Sequence, residues 1–415
     1  MCGLSQHYQG EEIKTVKMVL LEDMIEAYYD CRRNKRNTVS AVEFEMDYEV
    51  KLLDLVRRIN DRSYTPGKSI CFVVKYPRYR EVFAAAFEDR IPHHYIYNRL
   101  NPLFEGIFGD RIFNCRECKG QLYGVKMLTD DLRKCSNGYT ADCFVLKLDI
   151  KAFFMSIDKP LLVRLVDDFI VENYVGDDKE DLRFLCRVVI MHNPEKNCEL
   201  RSPLEYWDHL PKEKSLFTNG EGKGIAIGNL FAQLFANFLL WSLEGLFAKH
   251  GIVYHGRYVD DMYAISSDKG KLLALIPDIR EHLAKIGLRL NEKKFYLQHY
   301  SKGIRFTGAV VKPGRIYPIR RNVKKFEEEV CKLNSCKTAD EVLAVVSTVN
   351  SYLGMLVHYN TYELRRRVLL RLDHPIYKFI YIKGHYESIA IKKRYRKDYK
   401  MIQRIREEDR RKVTA

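Results

Sequence analysis

The chain has 415 residues, 46% of them hydrophobic, enough for a large core and two or three subdomains. Its 70 Lys and Arg against 55 Asp and Glu leave a net charge of +15, which draws acidic partners over long range, nucleic acid first and an anionic membrane surface second. No run of eighteen apolar residues is present to span a bilayer, Met1-Cys2-Gly3-Leu4-Ser5 lacks the pattern of a secretory signal, and eleven scattered cysteines point to a reducing compartment.

Residues 11–63 read as helix. Val16, Met18, Val19, Leu20, Met24, Ile25 and Tyr28 recur at helical spacing, the basic cluster Arg32 to Asn37 interrupts it, and Val42 to Ile59 resumes it. The turn Tyr64-Thr65-Pro66-Gly67 leads into a strand over Ser69 to Val74. Lys75 to Phe83 then interleaves basic and aromatic residues, a mixture suited to gripping a triphosphate or stacking on bases. Phe87 to Leu103 reads as a helix with His93-His94 on its surface, and Lys126 to Lys134 as another. The apolar run from Phe144 ends in Asp149, with Phe153 and Phe154 close behind, the pattern of a buried strand delivering one acid to its end.

From Lys159 to Asn219 the periodicity weakens, giving helices and a loop. Asn229 to Leu246 is apolar enough to be one long buried helix. Gly256 to Ile265 places β-branched and aromatic residues on both sides of Asp260-Asp261, a hairpin with its turn at the acids. A helix follows over Lys271 to Ile286. Thr338-Ala339-Asp340-Glu341 fits a capping box opening a helix through Leu356, and Tyr362 to Leu372 is helical with Arg365-Arg366-Arg367 on it. A basic tail with Tyr395 and Tyr399 closes the chain.

Two adjacent carboxylates are costly unless one is protonated or a cation lies between them. Joined on one sheet by Asp149, they would hold two Mg²⁺ ions, the clamp used in phosphoryl transfer. Asp260-Asp261 alone is an ordinary surface turn and Asp149 alone an ordinary cap; the chemistry lies in their combination.

Tyr258-Val259-Asp260-Asp261 and Leu148-Asp149-Ile150-Lys151-Ala152-Phe153-Phe154 resemble the two metal-binding motifs of reverse transcriptases. Gly224 to Asn237 resembles their nucleotide-pocket motif, in the form found in diversity-generating retroelements. An aliphatic Ile227 stands where other reverse transcriptases commonly have Gln, and Gln233 where retroviral and retron enzymes usually have Pro. Ala232 departs from the Ser that usually precedes that Gln. The resemblance runs from about Val74 to Leu372.

It implies an α+β right-hand polymerase fold, with an antiparallel palm sheet flanked by helices, mixed fingers and a helical thumb. Fingers with an N-terminal helical extension would take residues 1–145, the palm 146–318 with an insertion at 159–223, the thumb 319–373 and the basic tail 374–415. The implied reaction is RNA-templated DNA synthesis, error-prone at template adenines, as in mutagenic retrohoming. Asp149, Asp260 and Asp261, with the backbone carbonyl of Ile150, would hold two Mg²⁺ ions, Mn²⁺ being able to substitute. Lys294, with Lys293 as the alternative, would lie near the departing pyrophosphate. Arg80, with Lys75 and Arg78 as alternatives, would meet the nucleotide. Phe154 would exclude a 2′-hydroxyl, while Ile227, Gly228 and Gln233 would line the pocket. Phe306, Thr307 and Gly308 would position the primer.

The implied partners are a template RNA, the RNA/cDNA duplex, dNTPs and a small basic accessory protein, with no membrane, in the cytoplasm of a bacterial or phage-encoded system. Two other readings stand beside this one. A retron-like or host-defence reverse transcriptase is disfavoured by Ile227-Gly228 with Gln233. A non-catalytic nucleic-acid-binding homologue is disfavoured by three intact acids.

Overall fold

The computed structural model describes residues 21–396 apart from Asn34, Arg36, Asn37 and Pro77. The expectations for Val16 to Leu20, part of the basic cluster, and the tail from Lys397 with Tyr399 lie outside the described residues. In chain order the strands are β1 (Ser69–Val74), β2 (Arg80–Ala84), β3 (Phe144–Asp149), β4 (Cys198–Leu200), β5 (Tyr254–Tyr258), β6 (Asp261–Ser266), β7 (Tyr296–His299), β8 (Ile304–Phe306), β9 (Ala309–Lys312), β10 (Arg315–Pro318), β11 (Ile380–Lys383) and β12 (Ser388–Ile391). Helices and mainly antiparallel sheets alternate along the chain, an α+β composition.

The chain forms two compact units interleaved in sequence. The first takes Met1–Cys115, Leu148–Gly251 and Ala274–Phe295; the second takes Arg116–Lys147, Ile252–Leu273 and Tyr296–Ala415.

In the first unit, helices Leu21–Arg32 and Tyr48–Asn60 bury the apolar stripes that mark them in sequence, among them Met24, Tyr28, Leu52, Leu55 and Ile59. β1 pairs antiparallel with β2, Cys71 opposite Phe83 and Val73 opposite Glu81, and parallel with β4, Ser69 opposite Cys198. The inserted region after β3 is thus stitched to β1, by a three-residue strand too short to show alternation. It also carries helices Lys159–Asn173 and Lys179–Met191, which pack on each other.

Two expectations are corrected here. His93 is not on a helix surface: helix Phe87–Ile107 buries it with its ring 4.8 Å from that of Phe231. The single helix expected from Asn229 is two, Leu230–Trp241 and Glu244–Lys249, because bonding tightens to Leu243 N→Leu240 O and Leu246 N→Leu243 O. By length and composition Leu230–Lys249 could cross a membrane, yet 61% of its apolar eighteen-residue window is buried inside the protein.

In the second unit a four-stranded sheet runs in the order β5-β6-β3-β7, with β3 antiparallel to β7. The last two residues of β3, Leu148 and Asp149, already belong to the first unit. Helix Gln121–Cys135 packs on β5, β6 and β9, and β8, β9 and β10 form an antiparallel sheet. Helices Arg320–Asn334, Ala339–Leu356 and Tyr362–Leu369 share a core that includes Phe326, Val346, Leu353 and Val368. The capping box is present, Thr338 accepting from Glu341 N and Glu341 from Thr338 N.

What was expected to be a basic tail from residue 374 begins as a folded hairpin, β11 and β12, on that helical core. Asn350 locks it by exchanging two hydrogen bonds with the backbone of Ile389, at 2.8 and 2.7 Å. Buried Arg365 donates to the carbonyls of His385 and Tyr386 at 2.9 and 2.6 Å.

Candidate active site

In the second unit, β5 and β6 pair with Tyr258 opposite Asp261, leaving Val259 and Asp260 as a two-residue turn. Asp260 is therefore at the tip, while Asp261, expected there too, is the first residue of a strand. Val259 takes a φ of 58°, a left-handed conformation that disfavours a β-branched residue and costs about 1–3 kcal/mol. Arg257 holds this turn from beneath; it is 1% exposed and its Nη1 donates to the Val259 carbonyl at 3.4 Å.

Asp261 pairs with Lys147, which rises from the centre of β3 and is 5% exposed. The ammonium lies 5.0 Å from the centre of the Phe306 ring. Phe306 packs edge-on to Tyr263 at 5.2 Å, and the Tyr263 hydroxyl donates to buried Asp131 at 2.9 Å. Phe306, expected to help position the primer, packs beneath the hairpin, 1% exposed on β8. Thr307 and Gly308 form the β8–β9 turn, at φ 41° and 89°, and remain half-buried.

In the first unit, Asp149 ends β3 as expected. Asn291 clasps it, its N–H bonding the Asp149 carbonyl at 2.7 Å and its side-chain amide the carboxylate at 2.9 Å. Lys294 donates to both carboxylate oxygens at 2.8 Å. Of the two candidate lysines it is therefore Lys294 that engages the acid. Ile150 bridges to Leu290, and Ala152, at φ 45°, turns the chain into the short helix Phe153–Ser156.

Of the residues expected to line a nucleotide pocket, Phe154 and Ile227 pack, with Trp207, against a small core of Cys71, Phe83, Met155, Leu216 and Ala226. Phe154 accepts from Ile225 N at 2.8 Å, and Ile227 from Phe83 N at 2.9 Å. Only glycine fits at Gly228: its φ is 122°, and a Cβ there would lie 2.6 Å from the Phe83 carbonyl oxygen. Burial, with the Glu81 carboxylate nearby, pushes the Cys71 thiol up and keeps it a neutral packing group. Gln233 lies on helix Leu230–Trp241 with its Oε1 buried and unpartnered. Arg80 opens β2 exposed and Arg78 is exposed, whereas Lys75 rests 3.8 Å above the Tyr206 ring of the inserted region.

Reading the sequence missed Lys147, Arg257, Asp131 and Glu81, all buried and all holding site elements. Their signal was a charged residue inside an apolar strand or helix: Lys147 between Leu146 and Leu148, and Glu81 on the same strand parity as Phe83.

Among the described residues no three His, Cys, Asp or Glu side chains are gathered to hold an ion. The acids offer hard oxygen donors, and Asp149 and Asp261 each draw an ammonium group to the carboxylate, so a cation is favoured at both. Such a donor set fits Mg²⁺. No curated protein matches the chain. The family model described as reverse transcriptase (RNA-dependent DNA polymerase) matches residues 75–311, more than half of the chain and a span containing Asp149, Phe154, Ile227, Asp260, Asp261 and Lys294. The chain belongs to the reverse transcriptase family and is an RNA-directed DNA polymerase, a nucleotidyltransferase acting on an RNA template and dNTPs.

Proposed function

We propose that this polymerase serves a diversity-generating retroelement, copying the element's template RNA into cDNA with errors concentrated opposite template adenines. Ile227 carries the reading. Its carbonyl is taken by Phe83 N and its side chain packs on the Cys71–Phe83 core, so the position presents carbon where a Gln amide would present a donor and an acceptor. Losing one neutral hydrogen bond is worth about 0.5–1.5 kcal/mol, a factor of roughly 2 to 13 in selection. The preference for adenines rests on the family resemblance, as does a small basic accessory protein as partner.

In a right-hand arrangement Asp149, Asp260 and Asp261 would hold two Mg²⁺ ions, with the Ile150 carbonyl as a further ligand. Bound Mg²⁺ supplies acidity at the primer hydroxyl and neutralises charge on the triphosphate. Phe154 stands beside the sugar and excludes a 2′-hydroxyl by bulk. Arg80, with Arg78 and Lys75, meets the triphosphate, and Gly228 lets the backbone approach the nucleotide beside Gln233. Lys294 delivers a proton toward the leaving pyrophosphate. Thr307 and Gly308 meet the primer strand.

A retron-like or host-defence role is the second reading, kept because Ala232, fully buried, departs from the Ser usual in the retroelement family. Sequencing cDNA made by the wild type and by Ile227→Gln on one template decides between them. Excess errors at adenines, reduced severalfold in Ile227→Gln, support the retroelement role. Accurate copying of adenines by the wild type removes it.

A further inference from the structure

We infer that Glu81 is a positioning residue of the nucleotide pocket, a buried latch that makes the inserted region part of the machinery selecting the incoming nucleotide. This rests on the reading of Phe154 and Ile227 as pocket residues.

Glu81 is 1% exposed. Its Oε2 accepts from the Trp207 indole at 2.8 Å and from the Ser215 hydroxyl at 2.7 Å, and its Oε1 accepts from Leu216 N at 2.8 Å. All three donors come from the inserted region. They are neutral, so the carboxylate's charge strengthens each bond. Glu81 is followed two residues later on β2 by Phe83, whose N–H holds the Ile227 carbonyl and whose carbonyl abuts Gly228. Trp207 and Leu216 pack on the same small core as Phe154 and Ile227. One carboxylate therefore ties the inserted region to the strand that fixes the pocket motif, and the insert's own side chains back the sugar-side and base-side residues.

An ionised carboxylate only accepts, which suits three donors. Glutamine of the same shape would turn an NH₂ toward either the Leu216 N–H or the Trp207 N–H, leaving a buried donor unpaired in both orientations. The expected consequence is a shift of the insert against the pocket, felt as looser nucleotide binding while the acids stay in place.

The test is steady-state kinetics of the full-length enzyme on a primed RNA template, with dTTP and UTP as competing nucleotides. The variants are Glu81→Gln, Trp207→Phe and Ser215→Ala, with Phe154→Ala alongside. Tyr64→Phe, which removes a hydroxyl bond to Asp89 elsewhere in the same unit, serves as a stability control. The latch predicts that Glu81→Gln raises the dTTP KM about fivefold or more and lowers discrimination against UTP severalfold, with kcat within about twofold. Trp207→Phe and Ser215→Ala follow in the same direction by smaller factors. Adding Trp207→Phe to Glu81→Gln changes little further, because both break one network.

Should Glu81→Gln fail to fold, the two donor variants keep the ring and backbone packing and give the same reading. The inference is overturned if KM and discrimination stay at wild-type values in folded variants. It is also overturned if apparent kcat and Tm fall while KM holds, the signature of lost stability that Tyr64→Phe controls for. If Phe154→Ala shifts discrimination while the latch variants do not, the inference fails and the pocket reading stands. If Phe154→Ala moves nothing, the pocket reading fails and the inference with it.

Discussion

Asp149, in the first unit, is the buried member of its pair with Lys294, whereas Asp261, in the second, is the exposed member of its pair with Lys147: the side chains are 11% and 45% exposed in one pair, 30% and 6% in the other. At Asp149 the ammonium arrives from the solvent side, on the short 3₁₀ turn Glu292–Lys294, and can swing away. At Asp261 the ammonium rises from the middle of a sheet with an aromatic ring beside it, and has no such exit. A buried charge is tolerable only when paired. One cation is thus a requirement of the fold, and the other is free to take part in chemistry.

The largest effects come from removing the acids. Asp149→Asn and Asp261→Asn should each reduce polymerisation by roughly 10³-fold or more, since each takes a charge from the proposed Mg²⁺ sites. Their stabilities should differ. Asp149→Asn lets Lys294 turn to water, while Asp261→Asn takes a charged partner from buried Lys147 and costs more, about 1–3 kcal/mol. Denaturant melts of the two variants read this, and equal losses would break the comparison.

Removing the lysines reverses the pattern. Lys294→Ala should cost under about 1 kcal/mol of stability, because an exposed partner is screened by solvent, yet slow turnover by roughly 10²-fold. Lys147→Met should cost about 1–3 kcal/mol, reduced from the fully buried case by the exposure of Asp261. Turnover measured beside melting separates the two. A silent Lys294→Ala would leave that lysine as an idle counter-ion.

A buried basic group packed on an aromatic ring is the third case. His93 lies against Phe231, and burial, helped by the basic groups His94, His192, Arg90 and Lys35, pushes it down to about 3. Its folded value lies below its unfolded value of about 6.5, so the unfolded chain binds more protons below that pH. The stability it contributes is complete above about pH 6.5 and is lost as pH falls toward 3, about 2 kcal/mol of it by pH 5. His192, pushed down to about 4 by burial and Lys159, adds in the same window. Melting of wild type and His93→Leu across pH 5 to 7 checks this, with a shallower slope in the variant.

Much of the site was legible because its signals are local. The apolar run into Asp149, the ring and β-branched residues around Asp260-Asp261, and the Thr338–Glu341 box each announce their element within ten residues. The terminal hairpin was legible too, in the alternation at Ile380, Ile382, Ile389 and Ile391, but the basic residues around it drew the reading toward a tail. What stayed hidden is non-local. β4 has three residues and takes its meaning from β1, more than a hundred residues earlier. Lys147 reads as an intruder in a strand until Asp261 is beside it, and Glu81 reads as a surface acid until Trp207, Ser215 and Leu216 converge on it.

The most direct measurement is primer extension on an RNA template with dNTPs, with and without Mg²⁺, comparing the wild type with Asp260→Asn. DNA made by the wild type only with the metal, and reduced by orders of magnitude in the variant at unchanged RNA affinity, is the predicted result. Equal extension by Asp260→Asn, or no DNA from the folded wild type with Mg²⁺, would contradict the assignment of these acids to catalysis.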